Sequence, residues 1–124
     1  DTEIDITAQT GIKSLDVTID CDNLDARELG TMGIPARFDL CNIEGFEDTN
    51  GTMHPAEDVR EAISALGFPI EDAVKDKPSI RLKIDKMFTG LLTGFPGNNN
   101  FILTVTENNG LSTTKTLKYY VPAN

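Results

Sequence analysis

Residues 101–121, FILTVTENNGLSTTKTLKYYV, alternate apolar and polar side chains on both sides of an Asn-Gly pair. Alternation with a period of two, rich in β-branched and aromatic residues, is typical of a half-buried β-strand. Asn109-Gly110 predicts a tight hairpin, because both central residues of such a turn favour positive φ. We therefore predict antiparallel strands at 101–107 and 112–121. Their inward side chains are predicted to be Phe101, Leu103, Val105, Leu117, Tyr119 and Val121.

Four other segments repeat this alternation and are also predicted to be strands. They lie around Ile4 and Ile6, at residues 13–20, at residues 37–41, and around Ile80 and Leu82. A parallel sheet would need a helix between most strands, whereas only one substantial helix is predicted. The sequence therefore predicts a mainly β protein, an antiparallel β-sandwich with a helical insertion around residues 55–66.

The predicted helix has the spacing of an amphipathic surface helix. Val59, Ile63 and Leu66 fall on one face, while acidic and polar residues occupy the other. Pro55 suits the first helical position, and Gly67 suits the position just past the end. Shorter helical turns are predicted at 24–29, at 71–75 and at 85–94, where Asp85 caps a segment carrying Met87, Phe88, Leu91 and Leu92.

The composition limits the possible partners. The chain has 124 residues, with 20 Asp and Glu against 11 Lys and Arg, and a formal net charge of −9. This length predicts a single domain over residues 1–124. Nucleic-acid binding requires clustered cations, and a membrane helix requires roughly 18 apolar residues in a row. Because the sequence has neither, we expect no nucleic-acid partner and no membrane insertion by this domain. No cofactor is expected.

The two cysteines are predicted to face different directions. Cys21 continues the inward parity of the strand at 13–20. Leu40 points inward in the next strand, which turns Cys41 outward or into a loop. Opposed directions favour two free thiols over a bridge, with Cys21 buried and Cys41 accessible.

The residues that could carry catalysis do not form a recognisable set. His54 is the only histidine, and nothing in the sequence ties it to a nucleophile, as a triad requires. It is predicted to be a helix-cap or loop residue. Neighbouring carboxylates are Asp16 with Asp20 and Asp22, and Glu71 with Asp72. A glycosidase pair must share a cleft, whereas strand alternation puts Asp16 and Asp20 on a solvated face. We predict no catalytic residues and no enzyme activity.

One loop invites comparison with calcium-binding loops. If Gly51 took the sixth position of an EF-hand loop, Asp48 and Asn50 would take the third and fifth, and Glu57 the twelfth. Phe46 would then occupy the first position, where an oxygen ligand is needed. We therefore predict a polar turn and no metal site.

Three aromatic residues in or near predicted loops are candidates for ligand binding: Phe46, Phe95 and Tyr120. Sugar-binding surfaces use aromatic platforms, and the chain has no Trp and only two Tyr. Tyr119 and Tyr120 are adjacent, so they point to opposite faces of a strand, with Tyr119 in the core. For Phe95, packing against the end of the sandwich competes with ligand binding.

Several of these segments resemble bacterial immunoglobulin-like domains. Residues 100–117, NFILTVTENNGLSTTKTL, resemble the closing hairpin of that family, and residues 11–19, GIKSLDVTI, its opening strands. Leu66-Gly67-Phe68-Pro69, followed by Lys75, Lys77 and residues 80–84, IRLKI, is similar to a variant in uncharacterised surface lipoproteins of the Bacteroidetes. The helical insertion around residues 55–66 departs from a minimal domain of this kind.

This resemblance implies an immunoglobulin-like fold, export, and anchoring at the outer cell surface through a removed N-terminal lipid signal. The function that it favours is a non-catalytic module of a longer surface protein, acting as a spacer, docking or adhesion domain. Its partners would be neighbouring domains of the same polypeptide, or a surface glycan or protein. Two alternatives stay open: a glycan- or ligand-binding module, and an accessory domain of a surface glycoside hydrolase.

Overall fold

The computed structural model describes residues 2–84 and 94–123, and the alternating segments form the predicted strands. Within these residues the elements are, in chain order, β1 (Thr2–Thr7), β2 (Ile12–Cys21), α1 (Ala26–Thr31), β3 (Arg37–Asp39), β4 (Phe46–Glu47), β5 (Met53–His54), α2 (Ala56–Ala65), a 3-10 turn (Glu71–Ala73), β6 (Ser79–Ile84), β7 (Gly97–Glu107) and β8 (Ser112–Val121).

The largest sheet has four strands in the order β3-β2-β7-β8, and every neighbouring pair in it is antiparallel. β2 pairs with β7 along its whole length, with one irregularity between Ile12 and Ser14. The short sheets β1-β6 and β4-β5 are antiparallel as well. The prediction of a mainly β fold with antiparallel sheets is confirmed.

One cluster of buried side chains joins the four-stranded sheet to the β1-β6 pair. Leu15, Val17 and Ile19 of β2 are at most 6% exposed, as their alternation predicts. Ile6 of β1 and Leu82 of β6 belong to the same cluster. Burial of apolar surface on this scale is the main force that holds the two sheets together.

The helix predicted around residues 55–66 is α2. Val59 and Ile63 are fully buried, and Leu66 at its C-terminal end is 8% exposed. Pro55 is the N-cap residue, one position earlier than predicted, which leaves its missing N–H group just outside the helix. Gly67 follows at φ 94°, the left-handed conformation that ends many helices.

The predicted hairpin is present, but its turn differs from the prediction. Gly110 has φ 92°, whereas Asn109 is not among the described residues with positive φ. The N–H group of Gly110 donates to the carbonyl of Glu107 at 2.9 Å, and that of Glu107 donates to the carbonyl of Leu111 at 2.8 Å. The connection is therefore a three-residue loop with glycine in its last position, and only that glycine needs positive φ.

The shorter helical segments have mixed outcomes. The turn predicted at 71–75 is the 3-10 turn. The turn predicted at 24–29 is α1, which continues through Gly30. A Cβ atom on Gly30 would lie 2.8 Å from the Cβ of Asp48, so the glycine allows close packing and does not end the helix. The short helix predicted at 85–94 falls on residues 85–93, which lie outside the described residues.

Candidate binding cleft beside Phe46

The hairpin formed by β4 and β5 carries a stacked pair of rings. The rings of Phe46 and His54 lie 4.8 Å apart between centroids, with an interplanar angle of 17°. The two residues are opposed in the register of this hairpin, which brings their side chains to the same face. The prediction that His54 is a helix-cap or loop residue is wrong, because His54 is in β5 and its ring supports Phe46.

Asp48 fixes the position of His54 and of the turn between the two strands. Its Oδ2 atom lies 2.8 Å from Nε2 of His54. Its Oδ1 atom accepts hydrogen bonds from the main-chain N–H groups of Asn50 and Thr52, each at 2.9 Å. The hydrogen bond with His54, followed by the one from Thr52, holds the pKa of Asp48 below its usual value.

These contacts also bear on the comparison with calcium loops. Both carboxylate oxygens of Asp48 are engaged by the hairpin itself. Glu57, the residue that would close a calcium loop, is exposed in the first turn of α2. The segment around Asn50 is a polar turn, as predicted. Among residues 2–84 and 94–123, no group of three or more His, Cys, Asp and Glu residues could hold a metal ion.

A cleft of about 370 Å³ opens between this hairpin and the neighbouring strands β2 and β3. Phe46 lines it from the hairpin side. The polar residues that line it are Asp16, Arg37, Asp39, Asn42 and Glu44. The cleft therefore combines one supported aromatic ring with several polar groups, the combination found in many ligand pockets.

Two carboxylates lie next to each other in this cleft. Asp16 of β2 and Asp39 of β3 are directly opposed in the sheet register. Oδ1 of Asp39 accepts hydrogen bonds from the N–H groups of Leu15 at 3.0 Å and Cys41 at 2.9 Å, so its orientation is fixed. Burial, and secondly the charge of Asp39, raises the pKa of Asp16, while Arg37 at 4.0 Å opposes this effect. Asp16 therefore carries a charge that its surroundings compensate incompletely.

The rim of the cleft is held by the loop after β3. The side-chain amide of Asn42 donates to Oε1 of Glu44 at 3.2 Å. Gly45 lies so close to β5 that an added Cβ atom would be 2.7 Å from the carbonyl oxygen of His54. This contact explains a glycine here, since any side chain would push the loop away from the hairpin.

The other two aromatic candidates are not in the cleft. Phe95 is half-buried and packs against the core, and its carbonyl accepts a hydrogen bond from the side chain of Asn99 at 3.2 Å. Tyr120 is 66% exposed on β8. Tyr119 is half-buried against the core, so the prediction that the two tyrosines face opposite sides agrees with their exposure. Of the three candidates, Phe46 is the one that lines this cleft.

The neighbouring carboxylates noted in the sequence are dispersed. Asp22 accepts a hydrogen bond from the N–H group of Asn98 at 2.8 Å and does not line the cleft. Glu71 pairs with Arg60 at 2.9 Å. Sequence reasoning missed the partner of Asp16, which is Asp39, because this pairing depends on the register between β2 and β3.

The two cysteines are free, but the predicted contrast between them is wrong. Both Cys21 and Cys41 are half-buried and pack against the core. Burial raises the pKa of each thiol to about 11. Cys41 lies two residues beyond the end of β3, and its side chain packs against the core instead of turning outward.

Comparison with protein-family models, with curated proteins and with solved structures found no match to this chain. Within residues 2–84 and 94–123, no helix has the length and apolar character needed to cross a membrane.

Proposed function

We propose that the chain is a non-catalytic, immunoglobulin-like β-sandwich module of a cell-surface protein, acting as a spacer, docking or adhesion domain. The observation that carries the proposal is that polar side chains of the domain hydrogen-bond to its own loops and rings. Asp39, Asp48 and His54 are each engaged in fixing a loop or a ring. Such contacts favour a rigid presenting surface, and rigid elements make precise binding surfaces.

The strand order qualifies the comparison with immunoglobulin domains. In those domains the second strand and the penultimate strand lie in opposite sheets. Here β2 and β7, the second strand and the penultimate one, pair directly. The proposed sandwich therefore shares with that family its antiparallel layers and closing hairpin, and differs from it in strand order.

The proposed location is the outer cell surface, within a longer polypeptide anchored by a lipid. This part rests on the resemblance of the closing hairpin to those of bacterial surface domains. Protease treatment of intact cells that express the full-length protein tests it. We expect cleavage within or beside this domain on intact cells, whereas protection until the cells are lysed would contradict a surface location.

The choice between spacing and docking needs a second experiment. In the full-length protein, residues 2–123 would be replaced by an unrelated β-sandwich of similar size. A spacer tolerates this replacement, whereas a docking or adhesion domain loses attachment to its partner. The point substitution Phe46→Ala in the intact domain is the matched comparison, because it removes the supported ring of the cleft and leaves the length of the module unchanged.

A second candidate function, binding of a glycan or another small ligand, is favoured by the cleft itself. The ring of Phe46 is held by His54, which is held in turn by Asp48. Aromatic rings next to hydrogen-bonding groups suit sugars and other ligands that have both apolar and polar faces. If another domain of the polypeptide were catalytic, this cleft would make the chain an accessory domain of a surface glycoside hydrolase.

A glycan array probed with the purified domain tests this candidate. We expect wild-type protein to bind a defined set of glycans, and Phe46→Ala to lose them. Tyr120→Ala is the control, since Tyr120 is an exposed ring outside the cleft. Equal loss in both variants, or no binding by the wild type, would argue against a glycan-binding cleft.

A further inference from the structure

The strand β8 forms one edge of the four-stranded sheet. It is ten residues long and pairs with β7 without a register shift. Its sequence, STTKTLKYYV, is rich in residues that favour strands. Within residues 2–84 and 94–123 no strand pairs with its outer side, so β8 offers a long and regular row of N–H and C=O groups to another strand. A second copy of the chain carries the same edge, so two copies of β8 could pair about a two-fold axis.

Lys115 has an unusual position on this strand. It is opposite Leu103 in the register, and Leu103 is 1% exposed on the inner face of the sheet. The side chain of Lys115 therefore projects from the inner face of β8, toward the other layer. Its Nζ atom donates a hydrogen bond to the main-chain oxygen of Asp5 in β1 at 3.1 Å. Lys115 thus spans the gap between two strands, β8 and β1, that have no main-chain pairing with each other.

This gap has an apolar floor. Ile6, Leu103 and Val105 line an opening of about 110 Å³, and Thr113 and Lys115 line it from β8. A strand added beside β8 would extend the inner face of the sheet alongside this opening. It would also remove water from the ammonium group of Lys115. Removing an ammonium group from water is costly even though the Asp5 carboxylate lies nearby, and a two-fold pair would bury two such groups.

Lys118 provides the internal comparison. It is opposite Asn100 in the register, three residues along β8 from Lys115, and therefore projects from the outer face of the same strand. An added strand would leave its ammonium group in water. The two lysines have the same charge and lie in the same strand, but Lys115 projects from the inner face of the sheet and Lys118 from the outer face.

We propose that Lys115 keeps the free edge of β8 from pairing with a second copy of the chain. The lysine acts through its inward position, and the net charge of the protein plays a smaller part. Inward-pointing charges on edge strands are a known means of preventing edge-to-edge association. The proposal concerns self-association and does not depend on the ligand or the location of the domain.

The test compares Lys115→Val with Lys118→Val, two variants of equal composition and equal net charge. Light scattering coupled to size-exclusion chromatography would measure the mass of each over a wide range of protein concentration. We expect wild type and Lys118→Val to be monomers, and Lys115→Val to form dimers or larger species as its concentration rises. Amide hydrogen exchange should show protection growing with concentration at residues 112–121.

A second variant, Lys115→Thr, tests the proposal in case Lys115→Val fails to fold. Threonine removes the charge without adding an apolar side chain, and Thr113 and Thr116 already occupy this strand. We expect it to associate as well, while circular dichroism shows the wild-type fold. Monomeric Lys115→Val and Lys115→Thr would overturn the proposal. Equal association of Lys115→Val and Lys118→Val would do the same, since it would show an effect of hydrophobicity alone.

Discussion

Oδ2 of Asp48 lies 2.8 Å from Nε2 of His54, and this contact links the turn of the β4-β5 hairpin to the ring that supports Phe46. The side chain of Asp48 is 4% exposed, and Gly30 of α1 packs against it. Because the hairpin is short, with only two residues in each strand, side-chain contacts must contribute much of its order. The shape of the cleft therefore depends on Asp48.

The pKa of Asp48 gives the first prediction. Its pKa in the folded protein lies below that in the unfolded chain, so the charged carboxylate stabilises the fold at neutral pH. This contribution is present above the ordinary aspartate pKa of about 3.9 and is lost as the pH falls through the folded-state value. Asp48→Asn should be less stable than wild type at pH 7, and the difference should shrink as the pH is lowered below about 4.

Urea denaturation between pH 7 and acid pH, followed by circular dichroism, measures this difference. Glu47→Gln is the matched control, because Glu47 is an exposed acid in the same hairpin. A stability difference between Asp48→Asn and wild type that stays constant with pH would contradict the assigned role of the charge.

The ionised carboxylate of Asp16 should have the opposite effect on stability from that of Asp48. Its pKa is raised in the folded protein, so the folded state holds the proton more readily than the unfolded chain does. Ionisation of Asp16 therefore costs stability as the pH rises through the raised value, and at pH 7 the whole cost is present. Asp16→Asn should be more stable than wild type at pH 7, with the gain vanishing at acid pH. A destabilised Asp16→Asn at neutral pH would count against this electrostatic account of the cleft.

The control for this prediction is Asp20→Asn, on the same face of β2 but exposed. Denaturation midpoints of both variants at pH 7 would separate a local effect in the cleft from a general effect of net charge. Binding sites often trade stability for activity, so a stabilised Asp16→Asn would support a binding role for the cleft.

The thiols give a third prediction. With a pKa of about 11, each cysteine is mostly protonated at pH 8, with about one thiol in a thousand ionised, and the thiolate is the reactive form. We expect both Cys21 and Cys41 to react slowly with a thiol reagent in the native protein and rapidly after unfolding in urea. Mass spectrometry of the labelled peptides distinguishes the two sites. Rapid native labelling of Cys41 alone would restore the contrast expected from the sequence.

Strand positions and the main helix could be predicted because they depend on local periodicity. Leu15, Val17 and Ile19 point inward as their alternation requires, and Val59 and Ile63 are buried as their helical spacing requires. Both patterns are set by how the backbone projects successive side chains. Neither pattern depends on which strands are neighbours.

The cleft could not be predicted, because it depends on register between distant strands. Phe46 was a candidate as an aromatic residue in a loop, but its contact with His54 follows from the pairing of β4 with β5. The meeting of Asp16 with Asp39 likewise follows from the pairing of β2 with β3. Local alternation sets the face on which each side chain lies, whereas the residue that it meets on the next strand is set by the pairing register.

The closing hairpin gives the last prediction, since its turn rests on one glycine. Gly110 has φ 92°, and an added Cβ atom would meet nothing within 4 Å. The cost of a side chain there is therefore backbone strain alone, about 1–2 kcal/mol for an ordinary residue. Gly110→Val should lose at least this much stability in urea denaturation, because β-branched residues tolerate positive φ worst. Gly110→Asn should lose less, since asparagine adopts this conformation more readily than other residues with a side chain. If both variants unfolded at the wild-type midpoint, the turn would have relaxed to another form, and the three-residue loop ending in glycine would be the wrong description of this hairpin.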